Sequence, residues 1–380
     1  MPSLKSWIMR GGDSIITCFP VSVIPNTLLI VRLDEIGDYI LFRNFLSVLR
    51  ESELFRDFQI TLLGNSFVSN LAEQYDSEHI NNFIWIDKKR FLKDYFYRIR
   101  LMIKIRKMGF ETVLIPTFSR RFLCEDAVAK VVAAPNTIAP VSDGRHQKQC
   151  ELNKAGHFYS RIVPVSESSP FEFYRNRAFF STLLNHPVSF QRPVLAVPGE
   201  IKKNDRYAVL FPGAGEAFRQ WSSDAFARIA QYLHTRYGLD VVVSGGAGDK
   251  VLAERIAAES SVPVRNMTGK TSISELVELI AGATLIVTND TGAVHIAAAV
   301  QVPTVCISNA NHFGRFVPYP TEITDRLRCV FPSDISENNN EFEKLVKKFG
   351  QGSNLSINSV TSVQVIEAID HLLESMGGVA

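Results

Sequence analysis

The sequence predicts an α/β protein of two doubly wound parallel-sheet domains facing each other across a cleft. Three observations carry that expectation. Short apolar, β-branched runs alternate with amphipathic helical segments, as in a parallel sheet flanked by helices. Glycine-rich turns follow several of those runs, at Gly213-Ala214-Gly215 and Gly245-Gly246-Ala247-Gly248. Finally, 380 residues exceed one ordinary core.

The first domain is expected over residues 1–190. It opens with the buried strand Thr27 to Leu33, a turn at Asp34 to Gly37, and a helix from about Asp38 to Leu49. Gln59 to Leu63, Phe83 to Ile86 and Thr112 to Ile115 read as further strands, and Phe91 to Met108 as one long helix stopped at Gly109. The proline-punctuated stretch Pro164 to Pro198 reads as the crossing between domains.

The second domain is expected over residues 191–360. Its strands are Tyr207 to Phe211, Asp240 to Ser244, Leu285 to Thr288 and Thr304 to Ile307. Helices are expected over Ser223 to Tyr237, Lys250 to Glu259 and Ala293 to Val300. Another opens on the capping box Ser272-Ile273-Ser274-Glu275. Ser333 to Asn358 reads as a surface insertion around a short charged helix. Residues 361–380 form a last helix, capped by Thr361, that packs back toward the first domain.

Composition narrows the function. A net charge of +2 implies no global affinity for nucleic acid. Five scattered cysteines without ligand spacing argue for a reducing compartment and against structural zinc. No apolar run of about 18 residues exists to span a bilayer. The N-terminal stretch has Lys5 and Arg10 ahead of Ile15 to Ile24, but Asp13, Pro20 and Pro25 interrupt it and no small-residue cleavage site follows. A cytoplasmic protein is expected over one with a cleaved signal peptide.

Three segments can carry chemistry. The first is Leu210-Phe211-Pro212-Gly213-Ala214-Gly215 with Arg219 after it. Amides of such a turn can approach phosphate oxygens, and a guanidinium can chelate a diphosphate; the alternative is a plain tight turn with a solvated arginine. A dinucleotide fingerprint is excluded because Phe218 and Val251 stand where its third glycine belongs, and no P-loop Gly-Lys-Ser/Thr occurs. The second segment is Asn289-Asp290-Thr291-Gly292-Ala293-Val294-His295, a strand-to-helix turn offering amides, a hydroxyl, a carboxylate and an imidazole. Its alternative is helix capping by Asp290 or Thr291 with His295 on the surface. The third is Arg32-Leu33-Asp34-Glu35-Ile36-Gly37-Asp38, where Asp38 suits either a general base or a helix-dipole partner.

These blocks, with VVVSGGAGDKVLAERIA and MTGKTSISELVELIAGATLIVTNDTGAVHIAAAVQVPTVCIS, resemble glycosyltransferase family 9, the ADP-heptose:lipopolysaccharide heptosyltransferases. The likeness covers most of Tyr207 to Ser308 and only the first strand and helix of the other half; Gln59 to Pro198 is weakly matched. It implies a GT-B fold of two Rossmann-like domains with the nucleotide held by the C-terminal one. It also implies inverting, metal-independent transfer to a lipid-linked saccharide, without a cofactor. By position, Asp38 falls on the family's proposed base and Arg219 where members often carry lysine against the diphosphate. Asp290, Thr291, Gly292 and His295 fall on donor contacts, with Gly213, Ala214 and Gly215 as the diphosphate loop. Thr271 falls near the adenine side, and Asp249 or Lys250 near the ribose side. Ala214 and Gly215 replace hydroxyl residues of some members, leaving only amides.

Lys88 to Lys107 holds nine Lys or Arg against one acid, Asp94, interleaved with apolar residues. Led by Lys88, Lys89 and Arg90, it reads as a surface for an anionic membrane or acceptor phosphates, or as an outer helix with solvated arginines. The expected partners are a nucleotide-diphosphate sugar and a glycolipid or saccharide acceptor, at the inner face of the cytoplasmic membrane. Two other readings stay open: transfer from a different nucleotide sugar, and a sugar-nucleotide binder without activity.

Overall fold

The computed structural model describes residues 4–197, 206–336 and 341–377. Met1, Pro198 at the end of the expected crossing, Asn338 to Asn340 within the expected insertion, and Ala380 lie outside them.

Two units emerge: residues 1–168 with 174–189, and residues 169–173 with 190–380. The first carries six parallel strands: β1 (Ile24–Arg32), β2 (Gln59–Asn65), β3 (Asn82–Ile86), β4 (Phe110–Leu114), β5 (Asn136–Pro140) and β6 (Arg161–Val163). Their order is β3-β2-β1-β4-β5-β6. The second carries β7 (Tyr207–Phe211), β8 (Asp240–Val243), β9 (Val264–Asn266), β10 (Leu285–Asn289), β11 (Thr304–Ile307) and β12 (Leu327–Val330), all parallel, in the order β12-β11-β10-β7-β8-β9. Both sheets follow one rule: chain order reverses between β1 and β4, and again between β7 and β10. Ligands of such sheets bind beyond the strand ends at that reversal.

Burial explains why the central strands form. Leu28 to Val31 of β1 and Leu285 to Val287 of β10 are fully buried on both faces, as parallel strands with helices on either side must be. The helix Ser223–Tyr237 lays Phe226, Ile229, Ala230 and Leu233 on the second sheet. It stops at Gly238, whose φ of 62° is left-handed. The last helix, Ser362–Ser375, is capped by Thr361. It buries Val365, Ile369 and Leu372 in that same core, beside β11, β12 and the helix Ser223–Tyr237.

Several elements differ from the sequence expectation. The segment Phe91 to Met108 is two helices, Lys88–Lys93 and Tyr95–Lys107. Asp94 breaks it, because its carboxylate caps the second helix by accepting from Tyr97 N at 3.0 Å. The helix expected from Asp38 to Leu49 is also divided, into Ile36–Ile40 and Phe45–Glu51. A helix, Leu4–Thr17, precedes β1, and another, Glu172–Leu184, occupies the proline-flanked crossing. No helix among the described residues is long and apolar enough to cross a membrane.

Candidate functional site

At the end of β1 the chain delivers a charged cluster. Arg32 is buried; its guanidinium donates to the Pro116 carbonyl and, at 3.2 Å, to the Asp38 carbonyl. It also lies 5.0 Å over the Phe42 ring, 3.2 Å from Asp34 Oδ2 and 4.0 Å from Asp38 Oδ1. Asp34 accepts from Thr117 Oγ1 at 3.2 Å. Asp38 therefore sits in the first turn of Ile36–Ile40 with its backbone and carboxylate both beside one buried cation, and its side chain is 19% exposed.

Lys88 belongs to this cluster rather than to an outer surface. Its side chain is 10% exposed, with Nζ 3.6 Å from Glu35 Oε1. Burial alone would lower its pKa, but the carboxylates of Asp34 and Glu125 outweigh that and raise it. Glu125, fully buried, is pushed up by burial and by Asp34, while Lys88 pulls the other way. Lys89 and Arg90 are exposed, and Arg90 pairs with Asp94 at 3.3 Å. Two more basic residues of that stretch face inward. Arg98 forms a buried bidentate pair with Asp13 at 2.9 and 2.7 Å, and Arg106 donates to the Phe19 and Val131 carbonyls.

In the second unit the loops after β7 and β10 are laced together. Asn289 Nδ2 donates to the Pro212 carbonyl at 2.7 Å, and its Oδ1 accepts from Trp221 N at 3.3 Å. Trp221 is itself buried and donates through Nε1 to the Val360 carbonyl at 2.8 Å. Arg219 donates to the Asp290 carbonyl and lies 3.4 Å from Asp290 Oδ2. Asp290 is 5% exposed and Arg219 22%. Burial raises the Asp290 pKa against the pull of Arg219 and of Ser308, whose Oγ donates to Oδ2 at 3.3 Å.

Capping here is done by Thr291, which accepts from Ala293 N at 3.3 Å; Gly292 opens the helix Gly292–Ala299. His295 is not a surface residue. It is buried against Tyr319, with 2.6 Å between Nδ1 and the phenol oxygen, and its ring meets Phe316 edge-on. Burial, with a smaller push from Arg219, lowers its pKa to about 3. The imidazole is therefore neutral near pH 7 and can offer a ligand a hydrogen bond but no positive charge.

One glycine in each of the loops after β7 and β8 has a spatial cause. Gly213 has no left-handed φ, but a Cβ there would collide with the Asp249 carboxylate, and one at Gly245 would lie 2.7 Å from Asp249 Oδ2. Asp249 accepts from Gly246 N at 2.8 Å, and burial raises its pKa against that bond. It thus fills the space between the loops after β7 and β8. Gln220 Nε2 donates to the Ala214 carbonyl at 3.3 Å, steadying the loop that runs through Gly215. Thr271, half-buried, precedes the cap Ser272. Among the described residues no group of three or more His, Cys, Asp or Glu is placed to hold a metal ion.

Sequence reasoning missed four residues that build this geometry: Arg32, Asn289, Ser308 and Tyr319. Arg32 and Asn289 stood inside the quoted motifs, where a polar residue at the end of a buried strand was the available signal. Ser308, which closes the quoted block after β11, carries the same signal, whereas nothing local marks Tyr319, which reaches His295 only through the fold.

Residues 153–341 match Glycosyltransferase family 9 (heptosyltransferase). The lipooligosaccharide heptosyltransferase 2 of Haemophilus influenzae is 39% identical over 126 residues, 31% of this chain and 34% of that one. The chain thus spans about a third of the length of this curated relative. The glycosyl transferase family 9 structure from Veillonella parvula superposes with a TM-score of 0.71 at 18% identity, covering 93% of this chain and 99% of that one. The E. coli ADP-heptose lps heptosyltransferase II gives 0.66 at 18%, covering 93% and 100%. At such identity the likeness is one of fold: two α/β domains of the GT-B type.

Proposed function

We propose that this chain, which over residues 153–341 belongs to glycosyltransferase family 9, is an inverting heptosyltransferase of lipopolysaccharide-core synthesis. The donor is ADP-heptose, by analogy with the name of the E. coli structure, and the acceptor a lipid-linked saccharide. The observation that carries the reading is the Arg219–Asp290 pair: a partly open guanidinium fixed on a buried carboxylate beside the strand-order reversal. A guanidinium of this kind suits a diphosphate, which supports the reading.

In this reading the Gly213-Ala214-Gly215 amides, Arg219, and the amino end at Thr291 and Gly292 hold the diphosphate. Asp249 and Thr271 lie on the nucleoside side. Asp38 takes the proton of the acceptor hydroxyl as its oxygen attacks the anomeric carbon. The carbon–oxygen bond to the diphosphate breaks with inversion, and ADP leaves carrying the bonding pair. Arg219 and the helix amides meet the charge developing on that leaving group, so the step calls for no divalent ion; turnover unaffected by a chelator is the expected result. His295 contributes a neutral hydrogen bond and the spacing of the helix. Lys89 and Arg90 are left as contacts to acceptor phosphates, at the cytoplasmic face of the membrane.

The test is turnover with ADP-heptose and a panel of other nucleotide sugars, comparing Asp38→Ala with the parent. A loss of about 10²-fold to 10⁴-fold in turnover with donor affinity retained is expected. Unchanged turnover removes the base assignment, and preference for another donor removes ADP-heptose.

A further inference from the structure

We propose that the outer face of the helix Leu4–Thr17 is a docking surface for an anionic lipid bilayer. This goes beyond the transferase reading and rests on neither its donor nor its acceptor.

The helix is two-faced in an unusual sense. Met9, Gly12, Asp13 and Ile16 turn inward and are buried. Trp7, Ile8, Gly11, Ser14, Ile15 and Cys18 turn outward, at helical spacing, and Phe19 follows them. Trp7 and Ile15 are each 64% exposed, and no charged residue lies among these outward positions.

This exposure is not the slack of a loose terminus. The buried Asp13–Arg98 pair holds the helix at 2.9 and 2.7 Å. Arg10 pairs with Glu151 at 2.6 Å, and Arg106 donates to the Thr17 and Phe19 carbonyls at 2.9 and 2.7 Å. Gly12 brings the helix so close to Tyr95–Lys107 that a Cβ would lie 2.6 Å from Ile99 Cδ1. Three arginines thus clamp a helix that presents tryptophan and isoleucine to solvent. Exposed tryptophan and isoleucine on one rigidly held helix face are suited to an interaction site.

Charge identifies the occupant. The neighbouring helix Tyr95–Lys107 contains no acid and exposes Phe96, Arg100, Lys104 and Lys107. From the other side, Lys130 Nζ reaches Ser14 Oγ at 2.6 Å. An apolar stripe with an aromatic residue, flanked by cations, matches the interface of a bilayer carrying negative headgroups. A second copy fits less well, because a two-fold contact would bring two basic flanks together.

The experiment is co-sedimentation of the whole chain with phosphatidylglycerol-containing vesicles and with phosphatidylcholine vesicles, without donor or acceptor. A failure here is therefore distinct from a failure of the transferase reading. Trp7→Ser with Ile15→Ser is expected to lower the partition coefficient about tenfold or more, with an unchanged thermal midpoint because both side chains are exposed. Arg100→Glu with Lys104→Glu is expected to weaken binding and flatten its dependence on salt. Undiminished partition of the serine variant overturns the proposal. So does equal binding of the parent to both vesicle types, or a parent dimer that the serine variant dissolves.

Discussion

The two units each set an arginine against an aspartate where a central strand ends, but with opposite burial. In the first, Arg32 is 1% exposed and Asp38 19%; in the second, Asp290 is 5% exposed and Arg219 22%. Whichever partner is buried acts as the fixed support, and the other is offered to solvent. One sheet therefore presents a carboxylate, suited to accepting a proton, and the other a guanidinium, suited to an anion. Similar ingredients on one topology yield opposite chemistry by exchanging which charge is enclosed.

Four further measurements would break or sharpen that contrast. The largest effect is expected at the enclosed cation. Arg32→Leu strips Asp34 and Asp38 of their buried guanidinium, with Lys88 left in the cluster, and should cost about 3–5 kcal/mol in denaturant unfolding. A loss under about 1 kcal/mol would deny Arg32 its supporting role. Arg219→Ala should instead act on binding, weakening ADP by about 1.5–3 kcal/mol by calorimetry. Arg219→Lys should recover part of that, since a point charge replaces a fork. Equal affinity in the parent and the alanine variant would end the parallel between the two pairs.

His295 gives a pH signature. Its folded pKa, about 3, lies below the ordinary 6.5. Its stabilising contribution is thus complete above about pH 6.5 and is lost as pH falls toward 3, because the unfolded chain binds the proton first. The parent should lose stability between pH 6 and 4 more steeply than His295→Gln, by about 1.4 kcal/mol per pH unit. Parallel pH profiles would place His295 in a more solvated setting. The smallest effect is expected for Gly213→Ala, which crowds Asp249 and should cost about 1 kcal/mol in thermal unfolding. Adding Asp249→Ala should relieve the crowding; an undiminished penalty would trace it to the backbone instead.

Much of this architecture was legible in the residues. Parallel strands buried on both faces are continuous apolar runs, so β1, β7, β10 and β11 stood out, as did helices with capping boxes at Ser272 and Thr361. Short edge strands such as β6 and β9 have three residues each and no run long enough to announce themselves. The helix Glu172–Leu184 hid between prolines. The basic stretch could not be sorted from sequence into inward-paired and outward charges, because composition counts charges but not their partners. Asp13 and Glu125 lie far from Arg98 and Lys88 in sequence. The motif around Asp290 located a polar turn but left open which residue capped it and whether His295 carried charge. The Thr291 bond to Ala293 N decides the first, and burial of the imidazole, a product of tertiary packing, decides the second.

Asn289 has one more consequence. Through a single amide, strand β10 grips the segment between Pro212 and Trp221 at both ends. That loop is a closed ring rather than a free arm, and the conformational entropy of ordering it is met during folding. Under the proposed donor assignment, a diphosphate arriving there would have little chain left to freeze, so more of its contact energy would be available as affinity.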